Sequence, residues 1–122
     1  MRTLLVTMAL VLTTFQPPAD RMTWTERQWC DHLAQQWGAE VEVRTPDGSR
    51  VDLLIPGGEA WEVDFAPKWA QGVGQALYYS AATHQPPGLV LIMREPAKQQ
   101  KYYLRALVVC HKYGIRLEVV KP

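Results

Sequence analysis

With two cysteines, three histidines and no cluster of either at ligand spacing, the chain holds no zinc or thiolate-metal framework. No apolar run approaches the about 20 residues that a membrane-spanning helix needs. There is no internal repeat and no low-complexity tract. Neither sign of charge dominates: 13 Lys and Arg stand against 12 Asp and Glu, a formal charge of +1. That balance promises neither an acidic tail nor strong general affinity for nucleic acid. What is present is a 122-residue chain that is 48% hydrophobic, enough for one domain with a modest core.

The average hides an asymmetry. From Asp20 to Asp64 ten acidic residues face four basic ones, whereas from Arg94 onward seven basic residues face only Glu95 and Glu118. An acidic half holding a cation beside a basic half meeting phosphates would suit a phosphodiester substrate; two ordinary solvated surfaces would read the same way.

Residues 1–19 are of another kind. Arg2 gives a positive start, Leu4 to Leu12 form an apolar run broken only by threonine, and Thr13 to Ala19 form a Pro-containing exit. This is the layout of a secretory signal peptide, which leaves residues 20–122 as the folded domain. Ala19 would precede the cut, although Pro17 is not the small residue expected two positions earlier; the alternative is a first strand or buried helix. Export makes the domain periplasmic or secreted, with no stable membrane association after removal of the leader; otherwise the chain is cytoplasmic. In an oxidising compartment Cys30 and Cys110 are permitted to pair, on two different expected helices whose separation is open. His32, His84 and His111 are scattered and read as surface or helix-end residues.

The remaining chain parses in order. Thr23 to Trp37 is expected to be an amphipathic helix stopped by Gly38. Val41 to Arg44 is a strand, ended by Thr45-Pro46-Asp47-Gly48. Val51 to Ile55 and Ala60 to Phe65 are strands joined by Pro56-Gly57-Gly58. Pro67 opens a helix to about Thr83. Leu89 to Met93 is a continuous apolar run, as in a central strand covered on both faces. A helix from Ala97 to Tyr113, capped by Gly114, precedes a strand from Ile115 to Val120. The order α-β-β-β-α-β-α-β predicts an α/β fold with a mixed sheet and helices on both faces.

Two of these strands carry carboxylates. Asp52 lies on one, and Glu62 and Asp64 lie on the next, pointing away from Trp61, Val63 and Phe65. Carboxylates amid core residues are costly unless hydrogen-bonded or bound to a cation, so the pair of strands is a candidate divalent-metal site. Lys68, Gly72, Gln75 and Tyr79 share one face of the following helix. Trp24, Trp29, Trp37, Trp61 and Trp69 read as core. Tyr102 and Tyr103, beside Lys101 and Arg105, read as a helix-surface cluster or as a platform for bases.

A first helix bearing Glu26, a meander bearing Asp52 and then Glu62-Val63-Asp64, and a helix bearing Gln75-x-x-x-Tyr79 together resemble the PD-(D/E)XK nuclease superfamily. The likeness is greatest to small bacterial and phage-encoded members, and the Gln-x-x-x-Tyr element is similar to that of RecB-type nucleases. It covers about Thr23 to Met93. It implies an αβββαβ restriction-endonuclease-like core with an added C-terminal helix and strand, acting as a metal-dependent nuclease on nucleic acid, DNA in the first place. It further implies Mg²⁺ or Mn²⁺ held by Asp52, Glu62 and the Val63 carbonyl, with a metal-activated water as nucleophile. Glu26 matches an acidic residue that touches the metal directly or through water; alternatively, Thr23-Trp24-Thr25-Glu26 is a capping box that engages it locally. The family's lysine should stand where Asp64 stands, and Lys68 is the replacement, as in members whose lysine has moved to this helix. Asp64 would then be a further ligand, or mark a second metal. The same departure supports an alternative, a catalytically degenerate domain that binds nucleic acid or a protein. Symmetric homodimers occur in the superfamily and are left open here.

Overall fold

The computed structural model describes residues 20–122; the expected leader lies outside the described residues. A 3₁₀ turn at Arg21–Thr23 leads into α1 (Glu26–Trp37), followed by β1 (Glu40–Arg44), β2 (Arg50–Leu54) and β3 (Ala60–Phe65). A second 3₁₀ turn, Ala66–Lys68, opens α2 (Trp69–Thr83); β4 (Pro87–Ile92), α3 (Pro96–Tyr113) and β5 (Arg116–Val120) complete the chain. The order expected from sequence is the order found. The five strands lie in the order β1-β2-β3-β4-β5, antiparallel through β3 and parallel from β3 to β5.

The placement of the helices follows from chain chirality. Two successive right-handed crossovers advance in the same direction across the sheet, so α2 and α3 settle on the same face. There Val73 and Ala76 of α2 and Ala106 and Cys110 of α3 pack with Leu89 and Leu91 of β4. The opposite face is left for α1, whose Trp29, Cys30 and Leu33 pack on Leu53, Trp61, Val63, Val90 and Ile92. β4 alternates between these two cores, which is why its sequence is apolar throughout. Cys30 and Cys110 are both free and buried. They belong to cores on opposite faces, so the folded domain does not pair them.

Local signals set the element ends, with two shifts. Gly38 and Gly114 close α1 and α3 in the left-handed conformation, at φ of 63° and 66°. The capping box at α1, however, uses Thr25 and Gln28 rather than Thr23 and Glu26. The 3₁₀ turn at Arg21–Thr23, held by Asp20 accepting from the Met22 N–H, delays the helix. Pro67 likewise lies within a 3₁₀ turn rather than opening α2 itself, and Lys68 becomes the residue preceding the helix.

Gly88 of β4 shows how tightly the α1 face is filled. A Cβ there would overlap two carbons of the Trp61 indole, which lies across it from the neighbouring strand. Trp61 is 2% exposed and packs against Trp37 at 4.9 Å between ring centroids. A Gly88→Ala substitution should therefore cost about 1–3 kcal/mol through overpacking. That appears as a lower urea midpoint with an unchanged m-value; a wild-type midpoint would show that Trp61 has room to move.

Candidate metal centre

The site forms where the meander comes apart. β2 and β3 pair only at Leu53↔Trp61 and Leu54↔Ala60. One residue further, the Asp52 carboxylate replaces a main-chain acceptor and takes the Val63 N–H at 2.8 Å. On the other side of β2, pairing with β1 skips the position opposite Asp52, where Glu42 adopts a left-handed φ of 50°. The sheet thus opens as a fork at Asp52, and a main-chain N–H fixes the carboxylate in it. Val63 reaches the site through that N–H.

Glu62 and Asp64 are 5% and 3% exposed on a strand otherwise made of core residues. As the alternation predicts, Trp61 and Val63 enter the α1 core, and Glu62 and Asp64 turn toward α2. Gly72 lets that helix close in: a Cβ there would lie 3.6 Å from the Asp64 Cβ, 3.7 Å from its Oδ2 and 2.9 Å from Leu89 Cδ1. One turn on, the Gln75 amide meets the Glu62 carboxyl; with its nitrogen turned inward it donates to Oε1 at 2.7 Å and Oε2 at 3.1 Å. The Tyr79 hydroxyl lies 3.4 Å from the Gln75 amide, and burial, then the Glu62 carboxyl beside it, raises the phenol above its ordinary value.

Glu26 arrives from α1. Because Gln28 occupies the capping box, the Glu26 carboxylate is free to meet Asp64, to which it hydrogen-bonds, and Lys68, whose Nζ is 3.7 Å away. Arg94 positions this helix start: its guanidinium stacks 4.0 Å over the Phe65 ring and donates to the Trp24 carbonyl at 2.9 Å. The result is two linked carboxyl pairs, Asp52 with Glu62 and Glu26 with Asp64. All seven side chains singled out in the sequence therefore contribute to one locality.

Four acids in one place alter one another. Burial, and then the Asp52 charge, pushes the Glu62 carboxyl up to about 10, so it holds the pair's proton at neutral pH. Burial also raises Asp52, opposed by the Val63 N–H and by its bond to Glu62. Burial and then Glu26 raise Asp64 to about 7, with Lys68 pulling the other way. Burial, followed by the Asp52 and Glu62 charges, pushes the Cys30 thiol far above its ordinary value.

A cavity of about 170 Å³, lined by Glu26, Arg27, Cys30, Glu42 and Asp52, leads to this cluster. It is small beside a typical ligand pocket and suits an ion with its waters. The available donors are carboxyl oxygens, and the one nearby sulfur stays a thiol, so the chemistry fits a hard cation rather than zinc. Among the described residues, no three His, Cys, Asp or Glu side chains are arranged to hold a metal ion. A carboxylate pair completed by water is the pattern of Mg²⁺, which keeps several waters and takes one or two carboxylates.

Sequence reasoning overlooked the cavity rim. Arg27 bridges Asp31 at 3.0 Å and Glu42 at 2.5 Å. The i,i+4 spacing of Arg27 and Asp31 was readable; nothing local announced Glu42. The three histidines lie outside this group, His32 packing beside Trp24 and Trp29.

Comparison with protein-family models, with curated proteins and with solved structures finds no match.

The raised carboxyls carry a sign. An acid whose folded pKa exceeds its unfolded value stabilises the fold fully only below the unfolded value, and that contribution is lost as pH rises toward the folded one. For Glu62 the window runs from 4.5 to about 10, and for Asp64 from 3.8 to about 7. Without divalent cations the melting temperature should fall across that range. Glu62→Gln should flatten the decline, and Mg²⁺ should raise the melting temperature most at the alkaline end. A wild-type profile that is flat above neutrality would contradict the buried pair.

Proposed function

We propose that the chain is a divalent-cation-dependent phosphodiesterase acting on nucleic acid, DNA in the first place. The observation that carries this reading is the buried Glu62 carboxyl, cradled by Gln75 and bonded to Asp52 across the sheet fork. Such a pair is electrostatically unfavourable by itself and gains most from a cation. The arrangement also agrees with the resemblance to the PD-(D/E)XK superfamily, which supplies the reaction class.

Asp52 and Glu62 would hold Mg²⁺ or Mn²⁺, with the Val63 carbonyl as the further oxygen that the resemblance implies. The cation supplies Lewis acidity and lowers the pKa of a water. The chain's own groups do the rest. The Val63 N–H keeps Asp52 aimed into the fork, and Gln75 and Tyr79 fix the rotation of the Glu62 carboxyl. Binding a cation requires the pair to give up its proton, so affinity rises with pH. Asp64, raised to about 7, is matched to accept a proton from the attacking water near neutrality. Lys68 holds Glu26 at 3.7 Å and, with its side chain largely in solvent, presents positive charge to a phosphate at the mouth of the site. The small cavity leaves a polymer to lie across that mouth rather than inside.

Two observations favour a second reading, a degenerate domain that binds nucleic acid or protein without cleaving. Asp64 occupies the lysine's position, and among the described residues no three of the acids are arranged to hold a metal ion. Cleavage of linear, circular and single-stranded DNA in Mg²⁺ or Mn²⁺ separates the two. Glu62→Gln should lower cleavage by at least about 100-fold with no loss of thermal stability, and Lys68→Ala by about 10²–10³-fold. Unchanged cleavage in Glu62→Gln removes the assigned role. Absence of calorimetric Mn²⁺ binding at millimolar concentration, together with absence of cleavage, establishes the degenerate reading instead.

A further inference from the structure

The outer surface of the α2–α3 layer plays no part in the carboxylate site, and its composition is unusual. α3 contains no acidic residue in its 18 positions, yet it carries Lys98, Lys101, Arg105 and Lys112. Leu104, Leu107 and Val108 are 50%, 41% and 71% exposed, and Tyr113 is 60% exposed. Spacings of three and four residues put Leu104, Leu107 and Val108 in one stripe, with Lys101, Arg105 and Lys112 in a row alongside it. Among the described residues none of those three cations forms an ion pair; only Lys98 does, with Glu95 at 3.3 Å.

The neighbouring helix extends this surface. α2 has no charged residue along its 15 positions and exposes Leu77 and Tyr78 at 40% and 42%. Gln75 and Tyr79 face the strand carboxylates, so Leu77, two residues from Gln75, lies on the far side of the helix. A two-helix layer thus presents apolar side chains and unpaired cations away from the fork.

We infer that this layer is a peripheral docking surface for an anionic lipid bilayer. A pair of convex helices matches a flat interface: the leucines and valine enter the headgroup boundary, and the basic row meets lipid phosphates. Charge complementarity selects this occupant. A second copy would set Lys101, Arg105 and Lys112 against their own counterparts. A nucleic-acid backbone would pair with the cations but leave Leu104, Leu107 and Val108 without a partner. The contact is reversible and on the surface: among the described residues no helix is long and apolar enough to cross a membrane.

The test uses full-length protein and sedimentable vesicles of phosphatidylcholine, alone or with about one third phosphatidylglycerol. Binding to the anionic vesicles is expected, at least about tenfold weaker on the neutral ones and weakening with salt. Leu104→Asp and Val108→Asp should each reduce partitioning at least about tenfold. Lys101→Gln, Arg105→Gln and Lys112→Gln should each reduce it about fivefold. All five positions face solvent, so the melting temperature serves as a control for folding, and the three charge variants stand in if an aspartate variant melts early. Several outcomes overturn the inference. Binding untouched by the five substitutions belongs to residues 1–19, and equal binding to neutral vesicles removes the charge argument. Wild-type protein left in the supernatant removes the surface altogether. Substitutions that abolish DNA binding but not vesicle binding assign the face to nucleic acid, and a wild-type dimer that Val108→Asp dissociates assigns it to a second copy.

Discussion

The meeting of two buried acids, Asp52 and Glu62, sets the character of this domain. It forms only because β2 and β3 stop pairing after two residues and a carboxylate substitutes for the missing main-chain acceptor. A dicarboxyl contact in a core is tolerable when one member keeps its proton, and burial enforces that here. The cost falls on β3, which carries two buried acids among residues that otherwise pack the two cores. Nothing in the packing of an α/β layer calls for such an arrangement.

The surrounding structure holds the pair in place from three directions. α2 comes close because Gly72 has no side chain to strike Leu89 or Asp64, and that approach brings the Gln75 amide to Glu62. α1 is fixed at its start by Arg94, through Phe65 and the Trp24 carbonyl, which delivers Glu26. β1 bends at Glu42 and leaves the rim open. Each support comes from a different element, so the geometry is a property of the assembled fold and not of any one segment.

Most of the fold was legible because it rests on local chemistry. The apolar run Leu89–Ile92, the stops at Gly38 and Gly114 and the turn at Pro56-Gly57-Gly58 fix the elements, and the handedness of parallel crossovers fixes their layers. Asp52, Glu62 and Asp64 stood out because charged residues are rare in strands of that composition. The failures share a cause. Thr23 and Thr25 offer equivalent caps, and only the preceding turn, held by Asp20, chooses between them. Glu42's backbone and Arg94's reach to Trp24 depend on groups about 10 to 70 residues away in sequence, beyond any local rule.

The separation of the two thiols has a consequence of its own. Cys30 and Cys110 lie in cores divided by the sheet, while a disulfide tolerates no more than about 7 Å between Cα atoms. A crosslink between them and the native topology are therefore mutually exclusive. An oxidant reaching the chain before it collapses would lock it into a shape from which the sheet cannot be completed; once folded, the domain shields both sulfurs from that fate.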